Sequence, residues 1–234
     1  MRDELDLRQT TTHMGTARTD WFRLRYTWIP ILRFLQAVPA PVTVYCGAVA
    51  TGEEAYSIAM LLEQYGIPGR VIATDVDPEL IAIARLGVTS PGFVARACGA
   101  GALAGVLTPP QVLSHFRESG SAWRPSPAVR QRVTFDVADL RDCEIPAANL
   151  VVIRNAWRHL GDDGRKSLIE RLQMLPSGSA LSIGGADLAV EVETAAGTIV
   201  QATGIEDELV GFRAVPFGEN DDGAPYFMGI FVKE

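Results

Sequence analysis

Apolar residues recur along this chain in two patterns that predict two kinds of secondary structure. Short, nearly continuous apolar runs are typical of buried strands, and runs with a period near 3.6 are typical of helices with one buried face. The runs predicted as strands start at Val42 and continue with 70–75, 149–153, 179–184, 196–202, 209–216 and 225–232. The segments predicted as helices are 19–38 with a break at Pro30, 53–65, 78–86, one from Thr108 to Gly120 that holds Phe116, and one opening at Asp162.

The order of these elements predicts the architecture. Strands alternate with helices, and the turn residues 220–223 join the last two strands, so we expect an α/β, Rossmann-like fold. Its sheet is expected to be mostly parallel and seven-stranded, with an antiparallel terminal hairpin and helices on both faces. A polar tail (1–18) is predicted to precede a single domain (19–234). Within the domain we expect a mobile loop rich in Gly and Ala (90–106) and a small strand insertion (121–135).

The first strand is followed by a loop of small residues and a helix. Gly47, Ala48, Ala50 and Gly52 form this loop, and the next apolar run ends at Asp75. A small-residue loop after one strand and a carboxylate at the end of the next are typical of α/β folds that bind a nucleoside-bearing cofactor. Asp75 can accept hydrogen bonds from both ribose hydroxyls.

Two glutamates at the start of the helix narrow the choice of cofactor. Glu53 and Glu54 would repel a pyrophosphate, which needs the free N–H groups of a helix start. They suit a cationic ligand instead, and S-adenosyl-L-methionine carries a sulfonium, an ammonium group and no phosphate. The alternative is that the helix dipole alone favours acids in this turn. Asp77 precedes Pro78 and is predicted to be a structural N-cap.

Two arginines are candidates for binding an anion at this site. Arg154 ends the apolar strand 149–153 at its carboxyl end, where sites in α/β folds lie. Arg23 lies in the first predicted helix. Either side chain could hold a carboxylate bidentately, on an acceptor or on the cofactor itself. The alternative for Arg23 is a solvated helix face beside Arg25.

These segments together resemble the chemotaxis-receptor glutamate methyltransferases, the CheR family. The matching segments are TDWFR (19–23), TGEEAYSIAM (51–60), ATDVD (73–77), LTPPQVLSHF (107–116), VTFDVADL (133–140) and VVIRNAWRHL (151–160). The resemblance implies a class I methyltransferase fold with S-adenosyl-L-methionine as cofactor. It also implies that the methyl acceptor is a carboxylate of a protein.

The resemblance assigns roles to particular residues. It implies that cofactor contacts come from Thr19, Ala48, Glu54, Asp75, Asp139, Leu140, Arg154 and Asn155. Arg23 is expected to approach both the cofactor and the acceptor, as a catalytic residue. The alternative for Asp139 is an ordinary turn aspartate.

The chain departs from the family pattern in ways that affect the acceptor. His159 stands where the family has a tyrosine near the reacting methyl group, and Asp187 ends a GGAD segment where the family has G-x-SE. His159 could act as a general base for a hydroxyl or amine acceptor, or it could simply face water. The family's helical domain before Thr19 is not recognised here. Three hypotheses follow: a protein carboxylate methyltransferase, a methyltransferase for a small molecule, and a regulatory module without turnover.

Composition limits the partners and the compartment. The chain has 234 residues and a formal net charge of −7, which makes binding to nucleic acid or to an anionic membrane surface unfavourable. Its three cysteines form no CxxC pair and its three histidines do not cluster, so no metal site is expected. No run approaches the about 20 apolar residues that span a bilayer. A soluble, cytoplasmic protein without membrane insertion is therefore predicted.

Overall fold

The computed structural model describes residues 19–120, 122–194, 197–219 and 225–234. The predicted tail (1–18) and the predicted turn at 220–223 lie outside these residues. Within them, the helices are α1 (Trp28–Ala37), α2 (Glu53–Gln64), α3 (Pro78–Leu86), α4 (Pro91–Leu103), α5 (Pro109–Ser114), α6 (Pro127–Arg130), α7 (Gly161–Leu172), α8 (Gly185–Leu188) and α9 (Ile205–Glu208). Short 3-10 turns lie at Arg25–Thr27 and Trp157–His159. None of the helices described is long and apolar enough to cross a membrane.

The strands form one large sheet and two small ones. In chain order the strands are β1 (Val42–Gly47), β2 (Gly69–Asp75), β3 (Phe116–Ser119), β4 (Ala122–Pro125), β5 (Val133–Val137), β6 (Leu150–Ile153), β7 (Ala180–Ile183), β8 (Ala189–Thr194), β9 (Gly197–Ala202), β10 (Phe212–Glu219) and β11 (Pro225–Lys233). The large sheet has seven strands in the order β10-β11-β7-β6-β1-β2-β5. Strands β5, β2, β1, β6 and β7 pair in parallel, and β11 and β10 are antiparallel. The predicted fold class is confirmed.

The core has two parts, one on each face of the large sheet. Alternate residues of β6 divide between them: Leu150 and Val152 pack in one cluster, and Val151 and Ile153 in the other. Side chains from α1, α2, α3 and α4 complete the first cluster, and side chains from α7 and α9 complete the second. Because side chains alternate across a strand, a run buried on both faces must be apolar throughout, as the sequence of β6 is.

The strand order places a crevice between β1 and β6. The chain runs outward from β1 to β2 and β5, then returns to the other side of β1 for β6 and β7. The connections that leave β1 and β6 therefore go to opposite sides, and the loops at their carboxyl ends separate. Ligands of open α/β sheets bind at such a switch point.

The predicted loop at 90–106 is wrong, because most of it is helix α4. Ser90 caps the helix: its hydroxyl accepts a hydrogen bond from the Phe93 N–H at 3.3 Å, and Pro91 occupies the first turn. Small residues allow α4 to pack closely, since a Cβ on Gly101 would lie 2.7 Å from the Val112 side chain. Gly and Ala gave no apolar periodicity to detect, although alanine favours helix more than other residues do.

The predicted helix over 19–38 is only partly correct, because its regular α-helix begins at Trp28. Phe22 and Leu24 have φ values of 48° and 56°, which bend the chain out of a helical path. Trp21 and Phe22 are nevertheless buried, and the Phe22 N–H donates to the Ser57 hydroxyl at 3.1 Å. The aromatic spacing that suggested a helix belongs instead to a bent segment lying on α2. Pro30 causes no break, since it falls in the first turn of α1, where a backbone N–H would have no helical partner, so the missing N–H of proline removes no hydrogen bond.

The region after Thr108 also differs from its prediction. Gln111 accepts a hydrogen bond from the Thr108 N–H at 2.7 Å, so the expected helix start is confirmed. The helix ends at Ser114, however, and Phe116 begins the hairpin of β3 and β4, with Gly120 in its turn at a φ of 63°. The small strand pair therefore exists but starts before residue 121. The predicted strand at 196–202 is β9, which pairs with the unpredicted β8 outside the large sheet.

His115 gives the fold a pH dependence that can be measured. The residue is 6% exposed and its Nε2 lies 3.1 Å from the Gln64 amide oxygen. Burial lowers the pKa of His115, opposed by Glu63 and assisted by Arg117. The folded protein therefore binds a proton less readily than the unfolded chain, and stability falls as the pH drops below about 6.5.

We expect the free energy of unfolding to decrease less between about pH 7.5 and pH 5 in His115→Gln than in the wild type. Urea unfolding at several pH values measures this, with the exposed His159 changed to Gln as the matched control. If His115→Gln and His159→Gln follow the same pH curve, His115 is not the group responsible.

Candidate active site

The loop between β1 and α2 has a tightly bent backbone. Ala48, Ala50 and Gly52 have φ values of 57°, 48° and 89°, all in the left-handed region. Alanine is strained there because its Cβ approaches the following carbonyl. Gly47 has no room for a side chain either, since a Cβ would lie 2.6 Å from the Leu140 side chain. The loop therefore bends tightly at the carboxyl end of β1, with Leu140 packed against Gly47.

Asp75 joins the end of β2 to this loop. Its carboxylate accepts hydrogen bonds from the Ala50 N–H at 2.8 Å and the Asp77 N–H at 3.0 Å, and the residue is 8% exposed. A carboxylate has about four acceptor positions, so two remain for ribose hydroxyls. Asp77 is the N-cap of α3, as predicted, because its side chain accepts from the N–H groups of Glu79 and Leu80.

A buried ion pair links the two sides of the crevice. Arg154 Nη1, at the end of β6, lies 3.2 Å from Glu54 Oε1 in the first turn of α2. Their side chains are 1% and 12% exposed. Burial lowers the pKa of Arg154, and the Glu54 charge opposes that shift. The sequence thus predicted both partners separately, and the fold brings them into contact.

Arg154 has donors left for a further partner. Its Nη1 also donates to the Arg23 carbonyl at 2.9 Å. Among the described residues, nothing accepts a hydrogen bond from its buried Nε and Nη2, and Glu54 Oε1 faces Nη1 without hydrogen-bond geometry. Unsatisfied buried groups of this kind are costly. They fit a ligand end that bears both a carboxylate and an ammonium group, as the methionine part of S-adenosyl-L-methionine does.

Glu53 differs in environment from Glu54. The Thr51 hydroxyl donates to its carboxylate at 2.7 Å, and the Ser57 hydroxyl donates to its backbone carbonyl at 2.7 Å. Burial raises the pKa of Glu53, with a smaller contribution from the charge of Asp20. Glu53 therefore orders the start of α2, as the helix-dipole alternative anticipated, while Glu54 points to the arginine.

Asp187, which the sequence analysis did not select, holds the turn after β6. Its fully buried carboxylate accepts a hydrogen bond from the Asn155 N–H, and Asn155 has a φ of 59°. Burial raises the pKa of Asp187, whereas the Asn155 N–H lowers it, followed by the Arg158 charge and the N–H groups of residues 157 and 158. Gly184 leaves room for the Asn155 backbone, since a Cβ at residue 184 would lie 2.9 Å from the Asn155 nitrogen. The sequence feature that could have identified Asp187 as a site residue is its place as an acid at the end of the GGAD segment, directly after a buried strand.

Asp139 has the environment of a turn residue. Its carboxylate accepts from the Arg141 backbone N–H at 2.8 Å and from the Arg141 guanidinium at 2.9 Å. The hydrogen bonds from that side chain lower the pKa of Asp139. The turn alternative therefore describes its contacts, and a cofactor contact by Asp139 stays a prediction.

The other residues predicted for the site differ in solvent exposure. Thr19 and Arg23 are half-buried in the bent segment, and the Arg23 main chain is the part bonded to Arg154. His159 is exposed, and its Nε2 accepts from Arg158 Nε at 3.2 Å. The structure thus brings together Glu54, Arg154 and Arg23, and leaves the catalytic role of His159 a prediction. In the described part of the chain, no three His, Cys, Asp or Glu side chains could jointly hold a metal ion.

The known proteins that this chain resembles include methyltransferases. A family model described as CheR methyltransferase, SAM binding domain, matches residues 19–204. A chemotaxis protein methyltransferase of Listeria monocytogenes is 25% identical over 175 residues, which is 73% of this chain and 62% of that protein. A Rhodobacter capsulatus protein named "Uncharacterized 104.1 kDa protein in hypE 3'region" is 28% identical over 165 residues, 67% of this chain. The chain spans only 16% of the length of that relative.

A solved structure supports the fold. The TehB-like SAM-dependent methyltransferase of Corynebacterium glutamicum superposes with a TM-score of 0.50 and 14% sequence identity. The superposition covers 97% of this chain and 96% of that one. At this identity the similarity concerns the fold alone.

We expect Glu54→Gln to lower the free energy of unfolding by about 3 kcal/mol, because it leaves a buried guanidinium without its counter-charge. Urea unfolding measures the loss. The control is Glu63→Gln, which removes a more exposed ion pair with Arg132, whose side chains are 33% and 22% exposed. That change should cost about 1 kcal/mol or less. Equal losses in the two variants would contradict the importance assigned to the buried pair.

We expect Ala48→Gly to raise the free energy of unfolding by about 0.5–1 kcal/mol, since relief of left-handed strain exceeds the added chain entropy. The control, Ala147→Gly, is at an exposed position without a positive φ and should lower stability slightly. Thermal or urea unfolding of both variants measures the difference. Destabilisation by Ala48→Gly as large as that by Ala147→Gly would show that the loop is not strained.

Proposed function

Because the chain belongs to the CheR methyltransferase family, we propose that it transfers the methyl group of S-adenosyl-L-methionine to a carboxylate on a protein. The observation that carries the proposal is the buried pair of Glu54 and Arg154 at the switch point of the sheet. An anion and a cation fixed side by side match the ammonium and carboxylate ends of the methionine part. Asp75, at the neighbouring strand end, matches the ribose.

The residues divide the work of binding this cofactor. Glu54 would accept hydrogen bonds from the ammonium group, and the spare donors of Arg154 would meet the carboxylate. Ala48 and Asn155 offer backbone groups from two left-handed turns, and Leu140 offers an apolar surface below the loop. Thr19 and Asp139 are further candidates for mutation, although the carboxylate of Asp139 already bonds to Arg141. When bound, S-adenosyl-L-methionine supplies an electrophilic methyl group on its sulfonium.

The acceptor class follows from the chemistry that the protein must provide. A carboxylate is already anionic at neutral pH, so no side chain has to remove a proton from it. The protein then contributes orientation and exclusion of water. Arg23, whose own backbone carbonyl accepts the hydrogen bond from Arg154, is the candidate to orient such an acceptor. The Listeria monocytogenes relative, which is named a chemotaxis protein methyltransferase, supports a protein as the acceptor.

We expect calorimetry to detect binding of S-adenosylhomocysteine, and Glu54→Gln to weaken it by about tenfold or more. The reason is the loss of a charge-assisted hydrogen bond, which is worth about 1.5–3 kcal/mol. Measurements below the unfolding temperature of the variant separate affinity from stability, and Glu63→Gln again serves as the control. Unchanged affinity in Glu54→Gln would refute the proposed site.

A labelling experiment tests the acceptor. Incubation of acidic proteins with methyl-labelled cofactor should give label that mild base releases, since methyl esters hydrolyse readily. Label that withstands base would contradict a carboxylate acceptor and favour an amine or hydroxyl, for which His159→Gln should then reduce turnover. Cofactor binding without any labelling would favour a regulatory module over an enzyme.

A further inference from the structure

We infer that Trp28 is a positioning residue that sets the orientation of Arg154 for the amino-acid end of the cofactor; the inference rests on the proposed function. Trp28 begins α1 and is fully buried, and no sequence motif singled it out. Its indole meets both the side chain of Arg154 and the backbone carbonyl that Arg154 uses.

The Arg23 carbonyl accepts two hydrogen bonds. Trp28 Nε1 donates to it at 2.7 Å, and Arg154 Nη1 donates to it at 2.9 Å. A carbonyl oxygen has two lone pairs, so this oxygen is fully used. The indole and the guanidinium are thereby held to a common point, although they come from α1 and from the end of β6.

The indole ring also contacts the guanidinium directly. Arg154 Cζ lies 5.1 Å from the ring centroid of Trp28, within the range of a cation–π interaction. That attraction is stronger away from water, and both side chains are buried. Since a guanidinium is planar, fixing its plane also fixes the directions of its remaining donors, Nε and Nη2.

The bent segment before α1 keeps the indole in place. Phe22 packs edge-on against Trp28, with ring centroids 5.2 Å apart and planes at 65°. Phe22 and Leu24, on either side of Arg23, have left-handed backbones that turn the Arg23 carbonyl toward the site. The strained backbone at these two residues therefore occurs where the Arg23 carbonyl holds the Arg154 guanidinium.

A change in the orientation of Arg154 should affect the affinity for some ligands and not for others. Glu54 and the donors of Arg154 would recognise only the methionine part, whereas Asp75 and Leu140 would contact the nucleoside part. A ligand that lacks the amino-acid end, such as 5′-methylthioadenosine, should be indifferent to the orientation of Arg154. Damage to the whole pocket would instead weaken both ligands.

The test compares Trp28→Phe with the wild type by calorimetry, using S-adenosylhomocysteine and 5′-methylthioadenosine. Phenylalanine removes the indole N–H and weakens the interaction with the guanidinium. We expect about tenfold weaker binding of S-adenosylhomocysteine and less than about twofold change for 5′-methylthioadenosine. The control is Trp123→Phe, a half-buried tryptophan on β4 whose backbone bonds to Thr89, and it should change neither affinity.

A double-mutant comparison keeps the result independent of stability. In an Arg154→Lys background, Trp28→Phe should weaken S-adenosylhomocysteine binding little further, because the group it positions is gone. If Trp28→Phe unfolds, Trp28→Tyr replaces it in the same comparison. Equal weakening of the two ligands, or full additivity with Arg154→Lys, would overturn the inference. Wild-type protein that binds neither ligand would instead refute the proposed function itself.

Discussion

The buried ion pair between Glu54 and Arg154 is the interaction on which the site depends. Each charge would be costly to bury alone, since the desolvation penalty of one ion amounts to several kcal/mol. Together they join the start of α2 to the end of β6 across the crevice of the sheet. The pair therefore fixes the distance between the two loops at the switch point, and it places opposite charges side by side in the crevice.

Several other features maintain this geometry by anchoring backbone rather than side chains. Asp75 holds the loop after β1, Asp187 holds the turn after β6, and the Arg23 carbonyl is held by Arg154 and Trp28. In each case a chain segment with left-handed residues is tied to a partner from a different strand or helix. Strained backbone of this kind persists only where surrounding contacts determine it, which is common at functional sites.

Elements with strong local signals were predictable from the sequence. Asp77 and Pro78 start α3 and Gly87 ends it, so both boundaries were predicted correctly. Helix α4 was missed because its Gly and Ala residues carry no apolar contrast, although Val94, Ala97 and Gly101 pack in its interior face. The segment around Trp21 and Phe22 was assigned to a helix because buried aromatic residues can be spaced as in a helix without forming one.

The sequence by itself determined the order of strands and helices, the small-residue loop and the charges at the strand ends, because these depend on residues close together in the chain. It also pointed to a cationic cofactor, since acids at a helix start repel phosphate. Only the tertiary structure decided which of the two glutamates meets Arg154, that Asp187 supports Asn155, and that Trp28 covers the guanidinium. Two of these contacts, Glu54 with Arg154 and Trp28 with Arg154, join residues 100 or more positions apart. Their strength comes from burial, which no local pattern encodes.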